Sequence, residues 1–459
     1  MEKILDLGRK IIPKKIFKGL QPYYHFALSL LGAIIYRFPA KEMYVIAVTG
    51  TKGKSTTTEI MNAILEENGE KTVLSNTIRT KVVGEERKNL SKMTTRGRFF
   101  TQRLLREALD KGARFAVLEI SSEATLRFGH KFLFLDALIF TNLAPEHIES
   151  HGSYEKYVEA KLNIARELSE KDYKKNFYMR GNPLGRSIKN SFDNLEPVLV
   201  ANADDKESEK FLSLNIKNKL PYSLRDATGM KTDENGSVFQ IGKMVVRSKL
   251  PGVFNVSNML GCITLAKFIG IKEEVIKKAI EEIDFIRGRM EKIRVGNPPA
   301  GGFDVVVDYA HTPDSLRAVY QTYSKNEEDK KHLICVLGNT GGGRDKWKRP
   351  EMGKIAGEYC DEIILTNEDP YDEDPRQIIE DMIVGIEDKK KVEIIMDRRT
   401  AIASALAKAR EMEQKQKTAV LITGKGTDPY IMGPNGTKQK WDDATVAREE
   451  LIKALRVEK

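Results

Sequence analysis

From Tyr44 onward the chain alternates short apolar runs with longer amphipathic stretches. The run Tyr44–Val48 is bounded by a glycine-containing turn, and a helix-compatible segment, Thr56–Asn68, follows. Phe115–Ile120 and Ala137–Thr141 are two more short β-rich runs, and Tyr154–Leu168 and Ser257–Ile269 have helical spacing. Residues 174–250 are looser, with NG and DATG turn signals and a strand pair around Ser237–Arg247. At Arg287-Gly288-Arg289 the rhythm restarts. Strands are predicted at Asp304–Val307, Leu333–Leu337, Glu362–Leu365, Val392–Ile395 and Ala419–Ile422, with a helix at Arg399–Glu411 among the intervening segments. This βα alternation predicts an α/β protein of two units, residues 44–287 and 288–459, each around a mostly parallel sheet.

Residues 1–43 stand apart. Lys3, Arg9, Lys10, Lys14, Lys15 and Lys18 make a basic start, and Phe26–Tyr36 is an apolar run between Pro22 and Pro39. That run is shorter than the roughly 20 residues a spanning helix needs, and no small-residue cleavage site follows it. A helix packed on the neighbouring domain is the favoured reading. A helix lying on the inner face of a membrane is the other.

Composition adds few constraints. The 459 residues are 41% hydrophobic and 31% charged, with a mean hydropathy of −0.41. The net charge of +10 arises from 76 basic against 66 acidic residues. The two signs are interleaved and no aromatic-plus-basic motif is present, so nucleic acid is not expected as a partner. A polyanionic small substrate or an anionic membrane surface accounts for the excess equally well. Cys262, Cys335 and Cys360 are far apart in sequence and suggest neither a disulfide framework nor a zinc site, so a reducing cytoplasm is the expected compartment.

The chemistry gathers at predicted strand ends. Gly50-Thr51-Lys52-Gly53-Lys54-Ser55-Thr56 reads as a phosphate-binding loop. Its glycines admit backbone N–H groups to phosphate oxygens, Lys54 neutralises charge, and Ser55 sits on Mg²⁺. The usual spacing asks for glycine at 48, where this chain has Val48. Glu119 ends a strand beside that loop and suits a Mg²⁺ ligand or a helix cap. His147 and His151 are spaced by one helical turn after another strand end, as for a metal or phosphate. Lys161, taken alone, reads as a solvated lysine. In the second unit Asp308-Tyr309-Ala310-His311, the run Gly338–Lys346 with Arg344, and Gly424–Asp428 all follow strands. They suggest a site across a domain cleft.

Together these pieces resemble the Mur ligases, closest to the type that adds the third residue of the peptidoglycan stem peptide. TGTKGKS at 49–55, LEISS at 118–122, TNLAPEHIESHG at 141–152, EAK at 159–161 and FNVSN at 254–258 run in the family's order. GRMEK at 288–292, VDYAHTPDS at 307–315, GGGRDKWKRPEMG at 341–353 and GKGTD at 424–428 continue it. The resemblance implies a central P-loop ATPase domain and a C-terminal Rossmann-like domain. It implies ATP-dependent amide-bond formation through an acyl phosphate, with Mg²⁺. By analogy Gly50 to Thr56 bind ATP, Glu119 and His147 bind Mg²⁺ with Ser55, and Lys161 is the lysine that becomes a carbamate. Asn258 meets the adenine. Asp308, His311, Arg289 and Arg344 serve the nucleotide from the other domain. Thr94, Thr95, Arg96, Ser121, Glu368, Asp369, Tyr371, Gly424 and Asp428 face the acceptor and the amino acid. A cytoplasmic monomer acting on a muramoyl-peptide-like acceptor is expected, with a peripheral membrane contact through residues 1–43.

Four departures stand out. Residues 1–43 are too few for the family's UDP-binding domain. Glu123 stands where the family usually has histidine. The Thr-Thr-Pro loop reads Thr94-Thr95-Arg96-Gly97-Arg98. The Asp-Asn-Pro-Arg motif of diaminopimelate-adding members reads Glu368-Asp369-Pro370-Tyr371. A lysine- or ornithine-like amine therefore fits better than diaminopimelate. Alternatives are an amide ligase for a folate polyglutamate or cyanophycin-like acid, and a non-catalytic membrane-associated protein retaining the fold.

Overall fold

A computed structural model describes residues 14–146, 148–168, 196–296, 302–324, 330–343 and 345–456. The N-terminal helix α1 (Lys14–Ile35) leads to β1 (Tyr44–Thr49), whose six residues are all buried. Then come α2 (Lys54–Glu67), β2 (Thr72–Ser75), β3 (Arg79–Val82), β4 (Glu85–Lys88), α3 (Arg98–Asp110) and β5 (Phe115–Glu119). β6 (Ala137–Phe140), α4 (Tyr154–Arg166), β7 (Val198–Asn202) and β8 (Asn218–Tyr222) complete an eight-stranded sheet of order β4-β3-β2-β5-β1-β6-β7-β8. Its central pairings are parallel, and only β3 and β4 run antiparallel to their neighbours. An antiparallel layer of β9 (Thr228–Asp233), β10 (Gly236–Ile241) and β11 (Met244–Ser248) follows, extending the expected strand pair to three strands. α5 (Val253–Phe268) and α6 (Glu273–Glu282) close this unit.

Apolar residues fill both faces of the large sheet. Ile46, Val48, Ile60 and Leu260 lie on one side. Val45, Ala47, Leu105 and Leu162 lie on the other. This double-sided burial is why its strands read as continuous apolar runs.

The second sheet has its own core. Its strands are β12 (Glu291–Lys292), β13 (Asp304–Asp308), β14 (His332–Leu337), β15 (Glu362–Leu365), β16 (Val392–Ile394) and β17 (Thr418–Thr423), in the order β12-β13-β17-β14-β15-β16. All pairings are parallel except that of β12. α7 (Pro313–Tyr323), α8 (Lys348–Tyr359), α9 (Pro375–Ile383), α10 (Arg398–Met412) and α11 (Asp443–Arg456) cover it.

One expectation is corrected. Cys335 on β14 and Cys360 form a disulfide with 6.1 Å between Cα atoms. Their 25-residue separation hid the pairing, because the β14–α8–β15 crossover returns the chain to the adjacent strand. Cys262 is buried and free.

α1 packs against α3 and the loop after Leu126, as the packing reading expected. Ser29 Oγ donates to Phe128 O at 2.9 Å, and Phe26 meets Phe128 and Phe132 edge-on or tilted. Among the described residues no helix is long and apolar enough to cross a membrane.

Candidate active site

β1 lies between β5 and β6, where the strand order reverses direction, so their C-terminal ends open a crevice. Val48 is inside β1 and pairs with Glu119 of β5, so the loop begins only at Gly50. The strand is longer and the loop correspondingly shorter than the usual spacing asks. Gly50 (φ +152°) lies where a Cβ would come within 1.9 Å of Thr141 Oγ1. Gly53 (φ +81°) lies where one would come within 2.2 Å of Asn258 Oδ1. Both positions require glycine.

The loop is held from several sides. Lys52 N donates to Asn142 Oδ1 at 2.9 Å, and Thr51 Oγ1 lies 2.8 Å from Tyr157 OH. Lys54 Nζ rests on Thr51 O at 2.9 Å. Burial pushes the Lys54 ammonium below its ordinary pKa, against the opposing carboxylates Glu119 and Glu146. Ser55 Oγ donates to Glu119 Oε2 at 2.9 Å, and Thr77 N donates to the same oxygen at 2.8 Å. Thr56 is buried at the start of α2.

Lys161 is not solvated. It is 1% exposed on α4, and its Nζ donates to Gly50 O at 2.6 Å. Among the described residues it forms no ion pair. Burial, reinforced by Lys54, holds its pKa well below the ordinary lysine value. His151 turns toward Ser122, with Nε2 3.1 Å from its Oγ. His147 and Arg344 lie outside the described residues.

Thr94–Arg98 and Ser121 frame another side of the crevice. Thr77 Oγ1 donates to Thr94 Oγ1 at 2.9 Å, and Thr95 Oγ1 accepts from Ser121 N at 3.0 Å. The two arginines diverge. Arg98 donates to His25 O on α1 at 3.1 Å. Arg96 lies over the Phe100 ring and donates from Nε to Asn89 at 3.1 Å. Among the described residues its buried Nη2 has no partner.

The second unit forms the opposite wall. Arg289 lies over Tyr309 and reaches Ser55 Oγ at 3.4 Å. Asp308 accepts backbone N–H groups of Met290 and Ala310 at 2.7 and 2.6 Å, which fixes the turn that presents His311. His311 Nδ1 donates to Tyr309 O at 2.7 Å. Its Nε2 lies 3.3 Å from Glu146, which is bound in turn by Lys52 at 2.9 Å. Burial, with Lys52 nearby, pushes His311 down to about 4, against the opposing pull of Glu146.

Further along the cleft is a four-charge cluster. Lys425, fully buried, lies 2.9 Å from both Asp369 and Asp428. Lys92 arrives from the first unit and lies 2.5 Å from Asp369 and 2.9 Å from Asp428. Lys92 is partly buried, which lowers an ammonium pKa, yet Asp428 and Asp369 hold it above its ordinary value. Glu368 is buried and raised; its Oε1 accepts from Thr340 at 2.8 Å, and its Oε2 fills the space over Gly424 (φ +109°). Tyr371, with φ +52°, lines the same wall. Lys92, Glu368, Asp369, Tyr371 and Asp428 border one cleft of ≈ 860 Å³ together with Lys52, Lys54, Glu119, Arg96, Arg289 and His311.

Glu146, Lys92, Lys425 and Thr77 were not singled out by sequence. Glu146 lies within TNLAPEHIESHG and Lys425 within GKGTD, whereas Lys92 carries no sequence signal at all.

Residues 48–266 match the Mur ligase middle domain, and residues 288–426 match the Mur ligase glutamate ligase domain. The chain is 34% identical over 439 residues to the UDP-N-acetylmuramoyl-L-alanyl-D-glutamate--2,6-diaminopimelate ligase of Syntrophomonas wolfei, covering 93% of this chain and 81% of that protein. The chain belongs to the Mur ligase family. As a Mur ligase it is an ATP-dependent ligase that forms amide bonds. A solved UDP-N-acetylmuramoyl-L-alanyl-D-glutamate--2,6-diaminopimelate ligase shares 28% identity at a TM-score of 0.57, over 90% of this chain and 78% of its own. A folylpolyglutamate synthase from Mycobacterium tuberculosis, 15% identical, shares the fold at a TM-score of 0.63, over 92% of this chain and 93% of its own.

Proposed function

We propose that this Mur ligase joins an amino acid with a cationic side chain to a carboxylate of a muramoyl-peptide-like acceptor. The observation that carries this reading is that one cleft holds the phosphate loop at one end and the Asp369–Asp428 pair at the other. Residues 44–287 would then be the nucleotide-binding domain and residues 288–459 the domain that closes on it.

A carboxylate has no good leaving group. Transfer of the ATP γ-phosphoryl group to the acceptor carboxylate makes phosphate the leaving group. The incoming amine attacks the acyl carbon, and the tetrahedral intermediate collapses to amide and phosphate. Bringing the two anions together requires concentrated positive charge, which Lys54, Lys52 and Arg289 supply. Arg96, with a guanidinium N–H left open, is suited to an acceptor carboxylate. Asn258, Asp308, His311 and Arg344 are assigned to the nucleotide.

The donor set suits Mg²⁺. Ser55 and Glu119 offer hard oxygens 2.9 Å apart, and among the described residues no group of three or more His, Cys, Asp or Glu could hold a metal by itself. That pattern fits an ion bound partly through nucleotide phosphates. His147 and Lys161 as its carbamate would complete the set. Mg²⁺ would supply charge neutralisation at the phosphates. Lys161 is sealed beneath the loop with no carboxylate partner among the described residues, the setting in which a carbamate would gain most from Lys54.

The amino-acid end argues from charge. Asp369 and Asp428 are balanced by Lys425 and Lys92. If Lys92 withdraws, one negative charge is left over, and a lysine- or ornithine-like side chain restores the balance. Tyr371 offers no cation for a distal carboxylate of diaminopimelate. Peripheral attachment to the inner face of a membrane, by a monomer, belongs to the same reading.

A phosphate-release screen of amino acids against UDP-linked and lipid-linked muramoyl peptides tests it. Lysine or ornithine should drive turnover. Lys54→Ala and Lys161→Ala should each lower it by about a hundredfold or more while the thermal melt is kept. Turnover with glutamate on a folate-type acid alone would overturn the acceptor. A folded, nucleotide-binding protein that hydrolyses nothing with any pair would favour the non-catalytic alternative.

A further inference from the structure

We infer that the outward face of α1 docks on an anionic lipid bilayer and sets the acceptor rim of the cleft beside it. The inference rests on the membrane attachment proposed above and names its residues and its lipid chemistry.

The inner face of α1 is used. It bonds through His25 and Ser29 and packs through Phe26. Its other face presents Tyr23 (76% exposed), Leu31 (46%), Ile34 (52%) and Ile35 (54%). With the exposed Ala27 between them, they recur at helical spacing and form one apolar stripe. Isolated exposed apolar residues need no explanation, but a continuous stripe on one helix does.

Charge decides the occupant. No acidic residue occurs from Leu7 through Lys41, whereas Arg9, Lys10, Lys14, Lys15, Lys18, Arg37 and Lys41 are all basic. Lys14, Lys15 and Lys18 fall in the first two turns of α1 itself. An apolar stripe joined to a cationic segment whose own sequence holds no acidic residue matches an interfacial helix on anionic headgroups. A second copy packed through the same segment would bring the same cations and no acidic residue from that segment.

The same helix adjoins the cleft. Arg98 bonds to α1 and lines the cleft, and Arg127 and Gly129, either side of the α1 contact Phe128, line it too. A bilayer on the outer side of α1 would therefore lie about one helix diameter, ~10 Å, from that rim. A carboxylate acceptor anchored in the membrane would reach the cleft without leaving it.

The full-length protein should co-sediment with phosphatidylcholine vesicles containing phosphatidylglycerol and stay in solution with phosphatidylcholine alone. Leu31→Glu with Ile34→Glu, both at exposed positions, should weaken binding by about tenfold or more with the thermal melt unchanged. Lys14→Glu, Lys15→Glu and Lys18→Glu together should weaken it by roughly a hundredfold. The inference falls if the wild type stays in solution with anionic vesicles, or if the Leu31/Ile34 variant sediments like wild type. It falls equally if light scattering shows a dimer that Leu31→Glu dissociates. Vesicle binding is read without ligase turnover, so loss of either leaves the other standing.

Discussion

At Gly53 a backbone with φ +81° meets Asn258 Oδ1 where a side chain would begin. Gly53→Ala should cost about 1–2 kcal/mol from the left-handed backbone alone. The Cβ would also displace Asn258, which holds Thr57 Oγ1 at 3.3 Å. A lower melting temperature with nucleotide affinity reduced about tenfold or more is expected, read by thermal shift with and without ATP. A Gly53→Ala variant that melts and binds like wild type would refute this tight packing. Glu119 and Lys161 illustrate two degrees of legibility. Glu119 was visible as a carboxylate at a strand end. Lys161 is singled out only through its motif, because a lysine on an amphipathic helix looks solvated until the neighbouring loop is laid over it and buries it. Lys92 was invisible, since its partners belong to the other domain, with Asp369 277 residues away in sequence.

Among the elements, β1, β5 and β6 were legible because both faces of each are buried. β4, Glu-Glu-Arg-Lys, was not: it is a fully exposed edge strand that carries no apolar pattern. β7 and β8 were hidden in a stretch where turn signals dominate. The loop against which α1 packs contains a buried histidine. His130 is buried, and burial, with Lys131 beside it, pushes its pKa from 6.5 down to about 4. Its folded pKa lies below the unfolded one, so its neutral form favours folding above pH 6.5. That contribution is lost as the pH falls toward about 4, by up to about 3 kcal/mol. His130→Gln should flatten the fall in melting temperature over that window. Parallel curves for the variant and the wild type would exclude this origin.

On the scale of the molecule, the two units meet through charged and polar side chains that bridge the cleft. Lys92 contacts Asp369 and Asp428, Lys88 contacts Asp442 at 2.5 Å, and His311 approaches Glu146. Two-unit architecture was legible from the restart near residue 288, but their approach was not, because no local pattern encodes which lysine meets which aspartate. Lys92 has a consequence for how substrate arrives. If a cationic amino acid takes its place, binding is an exchange of one ammonium for another, and the charge within the cleft is the same before and after. Ionic strength should then scarcely change the KM for the amino acid. In Lys92→Met the same substrate would enter an uncompensated negative site, and its KM should climb with added salt. Equal salt dependence in the two proteins would mean that the resident lysine and the substrate do not share a place.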